Sequence, residues 1–212
     1  PNKERLIPLI DKASEIGCEC FCIDDGWAVA GEWDPTESLF PDGGLESVIK
    51  YISDKGMRPG LWFEFEKTTY KVAEELGEDV ILKRNGYVIA PNRPKLDLRN
   101  EKARKWLLSK IDNVYKMGVR YIKNDHNNDE FLGTNYEGEN PAEGLRKKHE
   151  AFISFIKELY EKYPDLVIEN CSAGGGRSEY GTLKYCSLQS ITDQEDYKLM
   201  PSVISGCMAQ LQ

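Results

Sequence analysis

The chain has 212 residues, 40% hydrophobic and 30% charged, enough for one large domain or most of one with a sizeable core. Its 28 Lys and Arg against 36 Asp and Glu give a net charge of −8. With no basic run, that argues against nucleic acid. No apolar stretch reaches membrane-spanning length and Pro1-Asn2-Lys3 starts no signal peptide, so no membrane partner is expected.

The stripe Leu6, Ile7, Leu9, Ile10, Ala13 and Ile16 predicts a helix over 3–16, closed by Gly17. A buried strand over 18–23 follows and ends in Asp24-Asp25-Gly26-Trp27. A loop rich in Trp, Pro and Gly leads to an amphipathic helix over 45–55 that stops at Gly56. The next strand, 57–63, ends in Glu64-Phe65-Glu66, and a helix is expected over 68–76. The stretch 79–94 is mixed, with a turn at Asn85-Gly86. Arg93-Pro94 is extended, Leu96-Asp97-Leu98 is short, and Asn100 caps a helix that runs to Met117 before Gly118.

The apolar lead 119–122 reads as a strand running into Lys123-Asn124-Asp125-His126-Asn127-Asn128-Asp129. A long helix spans 142–162 and Pro164 ends it. A strand over 166–169 runs into Asn170-Cys171-Ser172-Ala173-Gly174-Gly175-Gly176-Arg177. A short helix over 178–185, a weak strand over 187–191 ending in Thr192-Asp193-Gln194-Glu195-Asp196, and a helix from 201 complete the chain.

Strand and helix alternate at βαβ spacing, which predicts a parallel sheet. Acidic or Cys/Gly-rich loops follow the strands at 24–25, 64–66, 125, 169–177 and 193. On a barrel those ends converge on one rim, whereas a doubly wound sheet spreads them along an edge. Convergence favours an α/β (β/α)8 TIM barrel. Five strands are too few to close one, so the expectation is an incomplete barrel over 1–212 or an open sheet.

Cys18, Cys20 and Cys22 alternate, so neighbours on one strand face lie roughly 6.6 Å apart. Zinc gathers its sulfurs at about 2.3 Å around one ion. Reduced core thiols, no metal, no disulfide among these three and a cytoplasmic location are therefore expected. His126 with the amides and acid up to Asp129 is a poor transition-metal set. His149 reads as a surface or packing residue.

Asp125 and Asp193 are the candidate catalytic pair. Glycoside hydrolysis needs two carboxylates flanking one bond, one attacking the anomeric carbon and one protonating the leaving oxygen. Lys123 points to the same side as Asp125 and would hold it ionised. Glu195 and Asp196 would press the pKa of Asp193 upward. Each aspartate reads equally as a turn or helix cap. Asp24 and Asp25 can accept two neighbouring sugar hydroxyls, or form an Asx turn. Trp27 could line the rim, and Trp62 and Phe65 offer apolar surface to a sugar face. The glycines 174–176 leave room for a ligand or form a plain turn; they lack a P-loop ending and a dinucleotide fingerprint.

Several motifs occur in one order. They are Phe21-Cys22-Ile23-Asp24-Asp25-Gly26-Trp27, Gly31-Glu32-Trp33-Asp34-Pro35, 56–64, Leu96-Asp97-Leu98, 121–127, 169–177 and Thr192-Asp193. The ordered set resembles the catalytic barrel of glycoside hydrolase family 36, the bacterial α-galactosidases. The resemblance implies Asp125 as nucleophile and Asp193 as acid/base of a retaining enzyme that removes terminal α-linked galactose. It implies Asp24 and Asp25 as ligands of the galactose 4- and 6-hydroxyls, with Lys123, Trp62, Cys171 and Gly174 lining the same subsite. It implies no cofactor, an oligosaccharide or glycoside partner, and barrel strands two to six in this chain. The flanking β-sandwich and C-terminal β-domain of the family would lie outside the chain, and a homo-oligomeric full-length protein is allowed for. The sequence departs from the family at Asn124 and Ser190, where Trp is common, and at Phe65, where Pro is usual. The expected sugar-binding arginine has Arg93 as its nearest candidate. α-N-acetylgalactosaminidase activity and a non-catalytic carbohydrate-binding barrel are the alternatives, and a metal- or phosphate-dependent α/β enzyme using His126 and the glycine loop is a third class.

Overall fold

A computed structural model describes residues 1–127, 133–135 and 138–210. Among these, the central element is a parallel sheet of five strands: β1 (Cys20–Ile23), β2 (Arg58–Phe63), β5 (Tyr121–Asn124), β6 (Val167–Asn170) and β7 (Leu188–Gln189). Strands β3 (Lys83–Arg84) and β4 (Tyr87–Val88) form a separate antiparallel hairpin. Asn85 (φ 53°) and Gly86 (φ 81°) turn it, the left-handed pair that a tight hairpin turn demands.

The helices form where periodicity and caps place them. They are α1 (Lys3–Glu15), α2 (Gly44–Asp54), α3 (Tyr70–Leu76), α4 (Glu101–Lys116), α5 (Pro141–Lys162), α6 (Tyr180–Leu183) and α7 (Met200–Gln210). The Asn100 side chain accepts the Lys102 and Ala103 amides to start α4, and Asn140 does the same for Ala142 and Glu143 ahead of α5. Leu45, Val48, Ile49 and Ile52 of α2 are all buried. They form one stripe at helical spacing, each contributing about 1.5–3 kcal/mol on removal from water.

The sheet order β1-β2-β5-β6-β7 follows the sequence without reversal. A doubly wound sheet reverses at its switch point; a barrel does not. The two faces differ in the same sense. Ile23, Leu61, Ile122 and Ile168 pair across neighbouring strands and are 2%, 0%, 0% and 0% exposed. The opposite face carries Cys20, Cys22, Tyr121, Lys123, Val167 and Glu169, all half-buried, and exposed Leu188. One helix-covered face and one concave polar face make the sheet an arc of a (β/α)8 barrel.

Several expectations change at this level. Strand β1 starts at Cys20, so Cys18 is exposed and only Cys20 and Cys22 share the concave face. Strand β7 has two residues rather than five. Trp27 is buried, donates Nε1–H to the Trp62 carbonyl at 2.7 Å and stacks with Phe63, so it belongs to the core and not the rim. Phe65 is likewise in the core, between Phe63 and an edge-on Phe155. Glu64 and Glu66 are buried in ion pairs rather than displayed at the rim.

Candidate active site

Asp125 lies one residue past β5, and its amide donates to the Phe63 carbonyl at 2.7 Å, extending the ladder. The residue is 6% exposed and its carboxylate is well supplied with donors. Oδ2 accepts from Trp62 Nε1 at 3.1 Å and Asn127 Nδ2 at 2.9 Å. Oδ1 accepts the amides of His126 at 2.7 Å and Ala173 at 3.1 Å. Burial pushes the pKa of this acid up, but Trp62, Asn127, Cys171 and the Ala173 amide outweigh it and hold the group below its ordinary value. An ionised, hydrogen-bonded carboxylate at a strand end is what a nucleophile requires.

Cys171 follows β6 and is buried. Burial pushes its thiol up to about 11, so at neutral pH the group is a thiol and donates. Lys123 has a second partner besides Asp125. Its Nζ sits 2.9 Å from Asp24 Oδ2. Burial draws the lysine pKa down, but the Asp24 hydrogen bond and charge raise it further. Lys123 and Asp24 therefore hold each other; Lys123 also has a favourable charge interaction with Asp125, while the hydrogen-bond donors are the larger influence on that carboxylate. Asp25 is exposed and its amide donates to Asp24 Oδ1 at 2.8 Å.

The glycine run has a specific task. Gly174 has φ 85°, pairs with Thr192 in a bridge, and a Cβ there would lie 2.4 Å from Thr192 Cα and 2.9 Å from the Asp193 nitrogen. At Gly175 a Cβ would meet the Ile191 carbonyl at 2.7 Å. The space that the glycines vacate is filled by the chain's own 190–193 segment. The loop that donates to Asp125 through Ala173 thus touches the segment bearing Asp193 through Gly174. Asp193, Glu195 and Asp196 are all exposed to solvent, where water screens like-charge pressure.

Arg93 reaches the same neighbourhood: Nη1 donates to the Asn127 carbonyl at 3.1 Å and Nη2 lies 3.3 Å from Glu64 Oε2. Buried Lys95 completes that cluster at 2.7 Å from Glu64 Oε1. Sequence reasoning missed Glu66, His126, Lys148 and Arg177 as a buried group; His126 beside Asp125 was the available signal. His149 pairs with Glu179 at 3.2 Å. Among the described residues no cluster of His, Cys, Asp and Glu could hold a metal. Asn128 and Asp129 lie outside the described residues. A cavity of about 530 Å³ opens beside α5, lined by Lys148, His149, Arg177 and Glu179 among others, and not by Asp125 or Asp193.

Fold and site together define an arc of a (β/α)8 barrel with carboxylates at the C-terminal ends of its strands. The family model described as Melibiase matches residues 1–199, and the chain belongs to that family. It is 29% identical to alpha-galactosidase 1 of Pediococcus pentosaceus over 92% of this chain and 28% of that protein. It superposes on the GH36 α-galactosidase AgaB of Geobacillus stearothermophilus with TM-score 0.81 and 25% identity, covering 97% of this chain and 30% of that one. The α-galactosidase of Thermus thermophilus in complex with p-nitrophenyl α-D-galactopyranoside matches with TM-score 0.63 and 26% identity, over 81% of this chain and 35% of that one. The chain spans about 28% of the length of the curated relatives it matches. It is an incomplete portion of the barrel.

Proposed function

We propose that the protein containing this chain is a retaining α-galactosidase. Asp125 attacks the anomeric carbon of a terminal α-linked galactose and forms a glycosyl ester, and Asp193 protonates the leaving oxygen and then activates water. The observation that carries this reading is the Asp125 carboxylate, buried yet held ionised by at least four donors. The Gly174–Thr192 contact supports it by joining the loop that grips Asp125 to the segment of Asp193. The family membership and the galactoside bound by the Thermus relative support galactose as the sugar.

Asp24, Asp25, Lys123, Trp62, Cys171 and Gly174 line the sugar subsite in this reading, with Arg93 as a further ligand. The Asp24–Lys123 pair offers an acceptor and a donor to adjacent hydroxyls, and such charge-assisted bonds discriminate hydroxyl geometry. Oligosaccharides are the natural partners, and six free cysteines support a reducing, cytoplasmic setting. No helix among the described residues is long and apolar enough to cross a membrane. Flanking β-domains complete the protein, in keeping with the share of its relatives that the chain spans.

The test uses the full-length protein and aryl α-galactosides, with the 2-N-acetyl analogue in parallel. Asp125→Ala abolishes turnover. Asp193→Ala loses far more rate on a poor leaving group than on p-nitrophenol, because acid catalysis matters most where the leaving oxygen is basic. Unchanged turnover in Asp125→Ala ends the proposal, and preference for the N-acetyl substrate moves it to α-N-acetylgalactosaminidase.

A further inference from the structure

Four buried ionisable side chains that the proposed reaction does not use meet next to the Asp125 loop. Glu66, just past β2, is 3% exposed. Its Oε2 accepts from Arg177 Nη2 at 2.5 Å and lies 3.3 Å from His126 Nδ1; its Oε1 lies 3.3 Å from Lys148 Nζ. The partners come from the loops after β5 and β6 and from α5, so one carboxylate joins four segments of the barrel. Burial pushes the Glu66 pKa up, but Arg177, Lys148 and His126 hold it well below the usual carboxylate range.

Buried ion clusters contribute little to stability beyond what an apolar core would give. Location gives this one a different meaning. His126 follows Asp125, and its ring is 1% exposed. Its amide donates to Asp125 Oδ1 at 2.7 Å, and its carbonyl accepts from Ser172 Oγ at 2.8 Å. Ser172 adjoins Ala173, the other amide on Oδ1. The His126 ring, in ion-pair reach of Glu66, thus belongs to the residue on one side of the carboxylate, and Arg177, hydrogen-bonded to Glu66, anchors the loop that supplies the other side.

We infer that Glu66 is a positioning residue: it clamps His126 and Arg177, and through them sets the attacking geometry of Asp125. This rests on Asp125 being the nucleophile proposed above. Geometry errors near 1 Å cost roughly 100-fold in rate. In the full-length protein, Glu66→Gln should lower kcat by about 10- to 100-fold with KM within about threefold of wild type, since Asp24, Asp25 and Lys123 lie outside the segments that Glu66 holds. Amide exchange over 125–127 and 171–173 should quicken, with α4 unchanged. Where the single variant fails to fold, Glu66→Gln with Lys148→Met removes one buried charge of each sign and should show the same signature. Ile111→Val, a destabilising control inside α4, should leave kcat within about twofold. A folded Glu66 variant with wild-type kcat and wild-type exchange overturns the inference. If wild type turns over no α-galactoside, the reaction assignment falls, and exchange alone decides whether Glu66 holds the loop.

Discussion

Trp62→Phe tests the electrostatics of the Asp125 carboxylate directly. The change removes the Nε1–H that donates to Oδ2 at 3.1 Å and leaves most of the buried ring volume in place. A hydrogen bond to a charged group is worth about 1.5–3 kcal/mol. The donors from Asn127, His126 and Ala173 remain and can tighten, so the low end applies, roughly 1.4 kcal/mol or one pK unit. The sign follows from what the bond stabilises. Trp62 favours the ionised form, so its loss raises the Asp125 pKa. A nucleophile that must be anionic then fails at higher pH. The acid limb of kcat/KM for an aryl α-galactoside should move up by about one unit, and the alkaline limb should stay. This limb reports the free enzyme, so a simultaneous rise in KM from a weaker sugar contact does not obscure it. Lys123→Met should move the limb less than Trp62→Phe does, because Nζ is committed to Asp24. An unmoved limb in a folded Trp62→Phe protein refutes the reasoning, and a larger shift in Lys123→Met would make the lysine the source of the depressed pKa.

Gly174→Ala places a Cβ 2.4 Å from Thr192 Cα at φ 85°, so the 190–193 segment must move. Stability should fall by about 1–3 kcal/mol and kcat by roughly 100-fold, read by thermal unfolding and by single-turnover rates. Asn100→Ala removes the side chain that caps α4 and should cost about 1 kcal/mol with no change in kcat. Glu179 is raised by burial but brought down to about 2 by His149 and Thr182, from an ordinary value of 4.5. Its contribution is complete above that ordinary value and lost as pH falls toward about 2. The unfolding midpoint of wild type should therefore drop more steeply across that window than that of Glu179→Gln.

Periodicity and caps carried most of the fold into the sequence. The stripe in α2 and the Asn100 cap of α4 are local signals, and both elements form within a residue or two of expectation. The candidate carboxylates were legible because strand ends concentrate acids, and Asp125 is where strand logic puts it. What could not be read was which acids find partners. Glu64 and Glu66 look like rim acids beside Asp24 and Asp125, yet cations from 93, 95, 148 and 177 bury them. Those cations lie up to 111 residues away in the chain, beyond any local pattern. The close approach at the glycine run was hidden for the same reason: the Cβ directions of Gly174 and Gly175 face a segment that no spacing rule connects to them.

The unequal faces of the sheet bear on the site itself. On the helix side the row Ile23, Leu61, Ile122, Ile168 is closed to water. On the concave side Lys123 and Glu169 pair in register while half-exposed, and Tyr121 donates to Glu169 at 2.5 Å. A parallel sheet is ordinarily covered on both faces, and closing the barrel lays further strands over this one. In the complete barrel proposed above, closure would strip water from Lys123 and Asp125 together. Desolvation alone would push Asp125 up and the lysine down, but it also strengthens each Asp125 donor bond and the Lys123–Asp24 pair in the lower dielectric. The donors on Asp125 are backbone amides and side chains already in place within this arc, so they need no rearrangement when the water leaves. An aspartate held by fixed dipoles stays ionised through closure, whereas one that relied only on a half-buried lysine would have to compete with that lysine's own desolvation. The arc thus supplies the Asp125 environment from its own residues, and a closed barrel intensifies it rather than creating it.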